Sequence, residues 1–191
     1  MRLSRAAVAG GVLLIGSIGV AGCLNGEPVS PQADLSGLVG SMRPVGPVET
    51  GWRVRKVVDG DTIRVVRNGQ ELKVRLIGID SPESVKPNSP IECYGPQASD
   101  FAQDRLAGAT VALEGDPSQQ PTDRYGRTLA YVWIVDDDGQ PESLFNLEAI
   151  AVGAASEATY DGRYQWQQAF RAAQARAQQQ GAGLWSACDA S

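Results

Sequence analysis

No histidine occurs anywhere in the 191 residues, and that absence removes every hydrolytic design in which imidazole serves as base, nucleophile or zinc ligand. The three cysteines, Cys23, Cys93 and Cys188, are too few and too scattered for a structural zinc site, and a serine or cysteine nucleophile would find no imidazole partner. The apolar run from Ala6 to Val20 is too short for a comfortable membrane span. What remains for chemistry is carboxylates, guanidiniums and a cation that oxygen atoms can hold.

That apolar run follows Arg2 and Arg5 and ends in Ala21-Gly22-Cys23. A basic start, an apolar middle and small residues directly before a cysteine read as a lipoprotein signal peptide, residues 1–22, whose cleavage leaves Cys23 at the N-terminus carrying lipid. The alternatives are an uncleaved anchor or an ordinary signal peptide with an incidental cysteine. Each puts the protein outside the cytoplasm, and lipidation puts it on the outer face of the cell membrane. Residues 23–50, with Pro28, Pro31, Pro44 and Pro47 among glycines and serines, lack the apolar groups for a core and read as a flexible tether. Residues 51–188 are enough for one domain with one core.

Without Arg2 and Arg5 the chain has 15 basic and 22 acidic residues, a net charge of −7. Such a balance repels a polyanion, so a nucleic-acid partner would require a local basic site, for which Lys73, Arg75, Arg124 and Arg127 are available. Adaptation of the surface to high salt explains the acidity equally well. With Cys23 lipidated, Cys93 and Cys188 form an even pair in an oxidising compartment, and a disulfide is the simple inference, two free thiols the alternative.

β-Branched residues dominate Trp52–Val58, Thr62–Arg67 and Glu71–Gly78, and Asn68-Gly69 between the last two is a strong hairpin signal. Alternation in the third run places Leu72, Val74 and Leu76 inward and sends Lys73 and Arg75 to the opposite face. Gly78 breaks the rhythm, which suggests a bulge aiming Asp80 back toward Arg75. Pro96 can open a helix carrying Ala98, Phe101, Ala102 and Leu106 and ended by Gly108. Thr110–Leu113 and Leu129–Val135 read as short strands. Asp136-Asp137-Asp138-Gly139 is a polar turn rather than a calcium loop, since no glutamate closes a twelve-residue repeat. Helices are expected around Leu144–Ala151 and along the stripe Trp166, Phe170, Ala173, Ala177. The sum is an α+β domain whose five strands can close as a small barrel with three helices.

Val58-Asp59-Gly60-Asp61-Thr62, Arg75-Leu76-Ile77-Gly78-Ile79-Asp80-Ser81-Pro82-Glu83 and Asp123-Arg124-Tyr125-Gly126-Arg127 hold the chemistry. Two or three acids can bind a hard divalent cation, a further acid can deprotonate water, and two arginines can clamp a phosphate whose charge grows during displacement. Phosphodiester hydrolysis needs those parts. With Tyr94-Gly95-Pro96 and Gly183-Leu184-Trp185 in the same order, these stretches resemble the thermonuclease, or staphylococcal nuclease-like, family from about Trp52 to Trp185.

The resemblance implies a five-stranded oligonucleotide-binding (OB-fold) barrel and calcium-dependent hydrolysis of DNA and RNA to products ending in 3′-phosphate. It implies Ca2+ on Asp61, Asp80 and the Ser81 carbonyl, with Asp59 as an indirect helper. Arg75 and Arg127 correspond to its phosphate-binding arginines, Glu83 to its general base, and Arg124 and Tyr125 to contacts with the nucleotide's phosphate end. Ser81 replaces a common threonine, which a carbonyl ligand tolerates. The position at which the family stacks a tyrosine near the base is Thr159 here, with Tyr160 one place off. The competing class is a noncatalytic OB-fold lipoprotein that binds nucleic acid or oligosaccharide; a plain envelope-interaction lipoprotein is the third. A monomer is expected.

Overall fold

The computed structural model describes residues 42–84 and 90–188. The expected signal peptide, Cys23 and most of the tether lie outside the described residues. Strand β1 (Val48–Asp59) begins three residues before the expected boundary at residue 51. The chain is attached even earlier, because the Val45 and Gly46 N–H groups both donate to Glu114 Oε1 at 2.8 Å.

Strands β1, β2 (Thr62–Arg67) and β3 (Gln70–Leu76) form an antiparallel meander. The β2–β3 hairpin turns on Asn68 (φ 50°) and Gly69 (φ 81°), the positive pair that a two-residue turn of the favoured twist requires. β5 (Thr110–Glu114) pairs with β1, and β6 (Thr128–Val135) with β5. A parallel pairing of β3 with β6, Arg75 opposite Leu129, closes the five strands into a barrel. β7 (Pro141–Leu144) extends β6 as a sixth strand, and β4 (Ile79–Asp80) pairs separately with β8 (Ser156–Glu157).

The helices among the described residues are α1 (Gly95–Leu106), α2 (Phe145–Ala151), α3 (Gln167–Gln180) and α4 (Leu184–Ala187). The last is a single turn beyond the three expected. Trp166 caps α3 and is half-buried, whereas Phe170, Ala173 and Ala177 face the core as the stripe requires. The barrel interior holds Trp52, Ile63, Val65, Val74, Leu76, Val111 and Trp133, all nearly inaccessible. Cys93, before α1, is bonded to Cys188, after α4, with 5.9 Å between their Cα atoms. Among the described residues no helix is long and apolar enough to cross a membrane.

Candidate active site

The Asp59-Gly60-Asp61 turn joins β1 to β2 at one end of the barrel. The Asp61 N–H donates to Asp59 Oδ1 at 3.1 Å, a local bond that favours the turn. Gly60 is required by crowding, since a Cβ there would stand 2.6 Å from the Cβ of Ser81. The close approach lets the Ser81 N–H donate to Asp61 Oδ2 at 3.1 Å, while the Thr62 hydroxyl donates to Asp61 Oδ1 at 2.9 Å.

Arg75 does lie on the face opposite Leu76, as alternation predicts, but it is buried rather than exposed. Its Nη1 donates to the carbonyls of Leu76 and Ile79 at 3.0 and 2.8 Å. Its Nη2 lies 3.0 Å from Asp80 Oδ1 and 3.2 Å from Asp61 Oδ2. Asp80 reaches it because Ile77-Gly78 is a tight turn, with Gly78 at φ 76°, and not the expected bulge. The outcome for Asp80 is the one the bulge was meant to supply.

The second arginine is fixed by its own loop. Asp123 Oδ1 accepts the N–H groups of Tyr125 and Arg127, both at 2.9 Å, and Oδ2 accepts Arg127 Nε at 2.6 Å. Burial opposes ionisation of Asp123, but these bonds and the Arg127 charge outweigh it and hold the carboxyl below its ordinary range. Tyr125 is exposed, with the guanidinium carbons of Arg124 and Arg127 at 4.8 and 5.5 Å from its ring.

Asp59, Asp61, Asp80, Ser81, Glu83, Arg75, Arg124, Tyr125 and Arg127 all line one cavity of about 620 Å³. Glu83 is half-buried at its edge, held by its main chain: its N–H donates to Glu92 Oε2, and its carbonyl accepts the Glu92 N–H, each at 2.9 Å. Cys93 and Cys188 are not part of the lining.

Burial, reinforced by the neighbouring Asp61 carboxylate, pushes Asp59 up to about 7. Two acids this close invite a cation. Among the described residues no three His, Cys, Asp or Glu side chains are grouped so as to cage a metal alone, so an ion here must also draw on backbone carbonyls and water. An all-oxygen donor set of that kind fits a hard divalent cation held in loose geometry.

Residues 73–187 match the family model described as staphylococcal nuclease homologue. The chain belongs to that family. It is 41% identical over 138 residues to the thermonuclease of Staphylococcus hyicus, covering 72% of this chain and 77% of that one. To the thermonuclease of Staphylococcus intermedius it is 41% identical over 134 residues, 70% and 75% of the two chains. A shorter match, 40% identity over 79 residues, joins it to endonuclease YncB of Bacillus subtilis, covering 41% of this chain and 37% of that protein.

In this staphylococcal nuclease homologue Tyr160 lines the cavity, together with Tyr125 and Tyr164, whereas Thr159 does not. The Tyr160 hydroxyl lies 3.1 Å from Arg75 Nη2 and its ring 5.4 Å from the guanidinium carbon. Burial, then the bond to Asp80, pushes that hydroxyl up to about 12. Thr62, which closes the Val58–Thr62 stretch and carries no role of its own in the sequence reading, also lines the cavity; its Oγ1 lies 3.5 Å from Arg127 Nη1. Gln119 and Gln120 line the cavity with no signal in the sequence to mark them.

Proposed function

We propose that this protein is an exported nuclease that hydrolyses phosphodiester bonds of DNA and RNA with the help of calcium. One observation carries the reading: a single cavity gathers acids from the β1–β2 turn and β4 with arginines from β3 and the loop before β6. Acids alone would repel the substrate and arginines alone would only bind it. Membership of the family, and the similarity to two thermonucleases and an endonuclease, support the same reaction.

In this mechanism Glu83 accepts the proton of the water that attacks phosphorus. A positioned base of this kind contributes about 10² to 10⁴ in rate. Arg75 and Arg127 approach the phosphoryl oxygens from two elements and stabilise the charge that grows on them; losing one such donor costs about 10² to 10³. Arg75 is prepared for this because its other contacts hold it rigid, so little reorganisation accompanies the reaction. Asp61, Asp80 and the Ser81 carbonyl are the groups that would hold calcium, with Asp59 behind them. When bound, the cation supplies Lewis-acid polarisation of the phosphate and offsets repulsion between it and the acids. Arg124 and Tyr125 receive the phosphate end of the nucleotide. Departure of the 5′ oxygen, leaving 3′-phosphate ends, follows the resemblance to the family.

Export and attachment through lipid on Cys23, to the outer face of the cell membrane, complete the proposal. The basic start, apolar run and small-small-Cys ending support it. Mass spectrometry of membrane-extracted protein should find lipid on Cys23, and an unlipidated, fully released chain beginning elsewhere would remove this part. The activity is tested by incubating the mature chain with plasmid DNA and with RNA, first in calcium and then in excess chelator. Cutting that stops on chelation and returns with calcium is expected. No cutting under any condition would leave the noncatalytic binding module as the reading.

A further inference from the structure

The outer face of β1, β2 and β3 carries two rungs of side chains, and their sequence position conceals how they are related. Residues in register on antiparallel strands share a face. Asp59, Thr62 and Arg75 are in register across the three strands and line the cavity. Val57, Ile63 and Val74 form the next rung and are buried inside the barrel. The rung after that, again outward, is Lys56, Arg64 and Lys73, all exposed. Irregularities in β1 between Val54 and Lys56 and between Val57 and Asp59 bring Lys56 into this row and leave Arg55 exposed beside it. The cationic rung stands one two-residue stride, about 7 Å along the strands, from the rung that lines the cavity.

Such a row opposes stability, because like charges directly across neighbouring strands repel. Its neutralisation is incomplete. Glu71 is shared by Arg64 at 2.8 Å and Arg55 at 3.6 Å, and among the described residues no acid pairs with Lys56 or Lys73. The chain as a whole carries a net charge of −5, so three adjacent cations on one rung are not a general property of its surface. An anion running outward from the cavity would meet them.

We infer that the Lys56–Arg64–Lys73 rung is a phosphate track: it holds the backbone of nucleotides flanking the scissile bond, so the protein engages a polynucleotide strand rather than one phosphodiester. This deepens the nuclease reading and rests on it. The face between β2 and β3 is also where barrels of this architecture can accept an oligonucleotide. The rung stabilises a bound strand without touching the reacting phosphate, so it acts on binding and leaves the chemical step alone.

The test uses the mature chain carrying Lys56→Gln and Arg64→Gln, beside a control with Arg43→Gln and Arg176→Gln, which changes net charge equally outside this face. Anisotropy of a labelled twelve-nucleotide oligothymidylate, in chelator, should show Kd raised roughly three- to tenfold in the first variant and less in the control. The dependence of log affinity on log salt should become shallower by about 1.4, two phosphate contacts at about 0.7 each. In calcium, kcat/KM for the oligonucleotide should fall with unchanged kcat, while hydrolysis of a dinucleotide stays as in the wild type. Unchanged affinity and salt slope would overturn the track even if the enzyme cuts normally. Reduced binding in a protein that cuts nothing would keep the track and sink the nuclease reading. Loss of binding to vesicles rich in anionic lipid, with oligonucleotide affinity intact, would also overturn the track and assign the rung to a membrane surface.

Discussion

Arg75 holds the acidic half of the site together, since its guanidinium contacts two backbone carbonyls, two carboxylates and a phenol. Arg127 has a simpler setting, its Nε anchored on Asp123 four residues away. The two should therefore respond differently to truncation. Arg75→Ala and Arg127→Ala should each lower kcat by about 10² to 10³, but only Arg75→Ala should also cost about 3–5 kcal/mol of stability, because it leaves buried Asp61 unpaired. Steady-state kinetics and urea melts on both variants check this. Glu83→Gln should lower kcat by about 10² to 10⁴ with oligonucleotide affinity retained. A near-normal turnover in that variant would exclude Glu83 as the base.

Among the elements, the irregular loop between β5 and β6 is tied down through one side chain. Asp116, buried, accepts the Tyr131 hydroxyl at 2.6 Å, the Gln165 N–H at 2.7 Å and both the N–H and hydroxyl of Ser118. One carboxylate thus staples the loop that leads to Arg127 onto β6 and onto the segment before α3. Burial pushes against its ionisation, yet the donors outweigh burial and hold its carboxyl below the ordinary range. The folded state therefore gains stability from Asp116 above the ordinary carboxylate pKa and loses it as pH falls below that value. Asp116→Asn should cost about 1–3 kcal/mol at pH 7, and the gap from wild type should narrow in urea melts repeated at pH 3. The hairpin at Asn68-Gly69 and the Phe170, Ala173 and Ala177 part of the α3 stripe were legible in the sequence, because neighbouring residues decide them. The burial of Arg75, the seating of Tyr160 and the Asp116 staple were not, because each depends on a segment 15 to 85 residues away. Alternation says which way a side chain leaves a strand and nothing about what later folds over it.

At the scale of the whole molecule two long-range links hold the chain. The Cys93–Cys188 bond closes a separation of 95 residues, worth about 4–5 kcal/mol in the chain-entropy treatment. Replacing both cysteines by serine should lower the thermal midpoint accordingly without abolishing the fold, as a melting curve would show; if both thiols of the exported protein alkylate without reductant, the link is absent in the native state. The other link is the parallel seam between β3 and β6. Arg75 sits within that seam opposite Leu129, and Arg127 leads directly into β6. The strand pair that shuts the barrel is therefore also the hinge pin on which the two arginines are mounted. Anything that unzips the seam, whether denaturant, heat or a wedge such as Leu129→Asp, must spread the arginines in the same motion. The phosphate recognition proposed for these arginines would then be all-or-none with respect to closure, and residual catalysis across a denaturation curve should count the molecules whose barrels are shut.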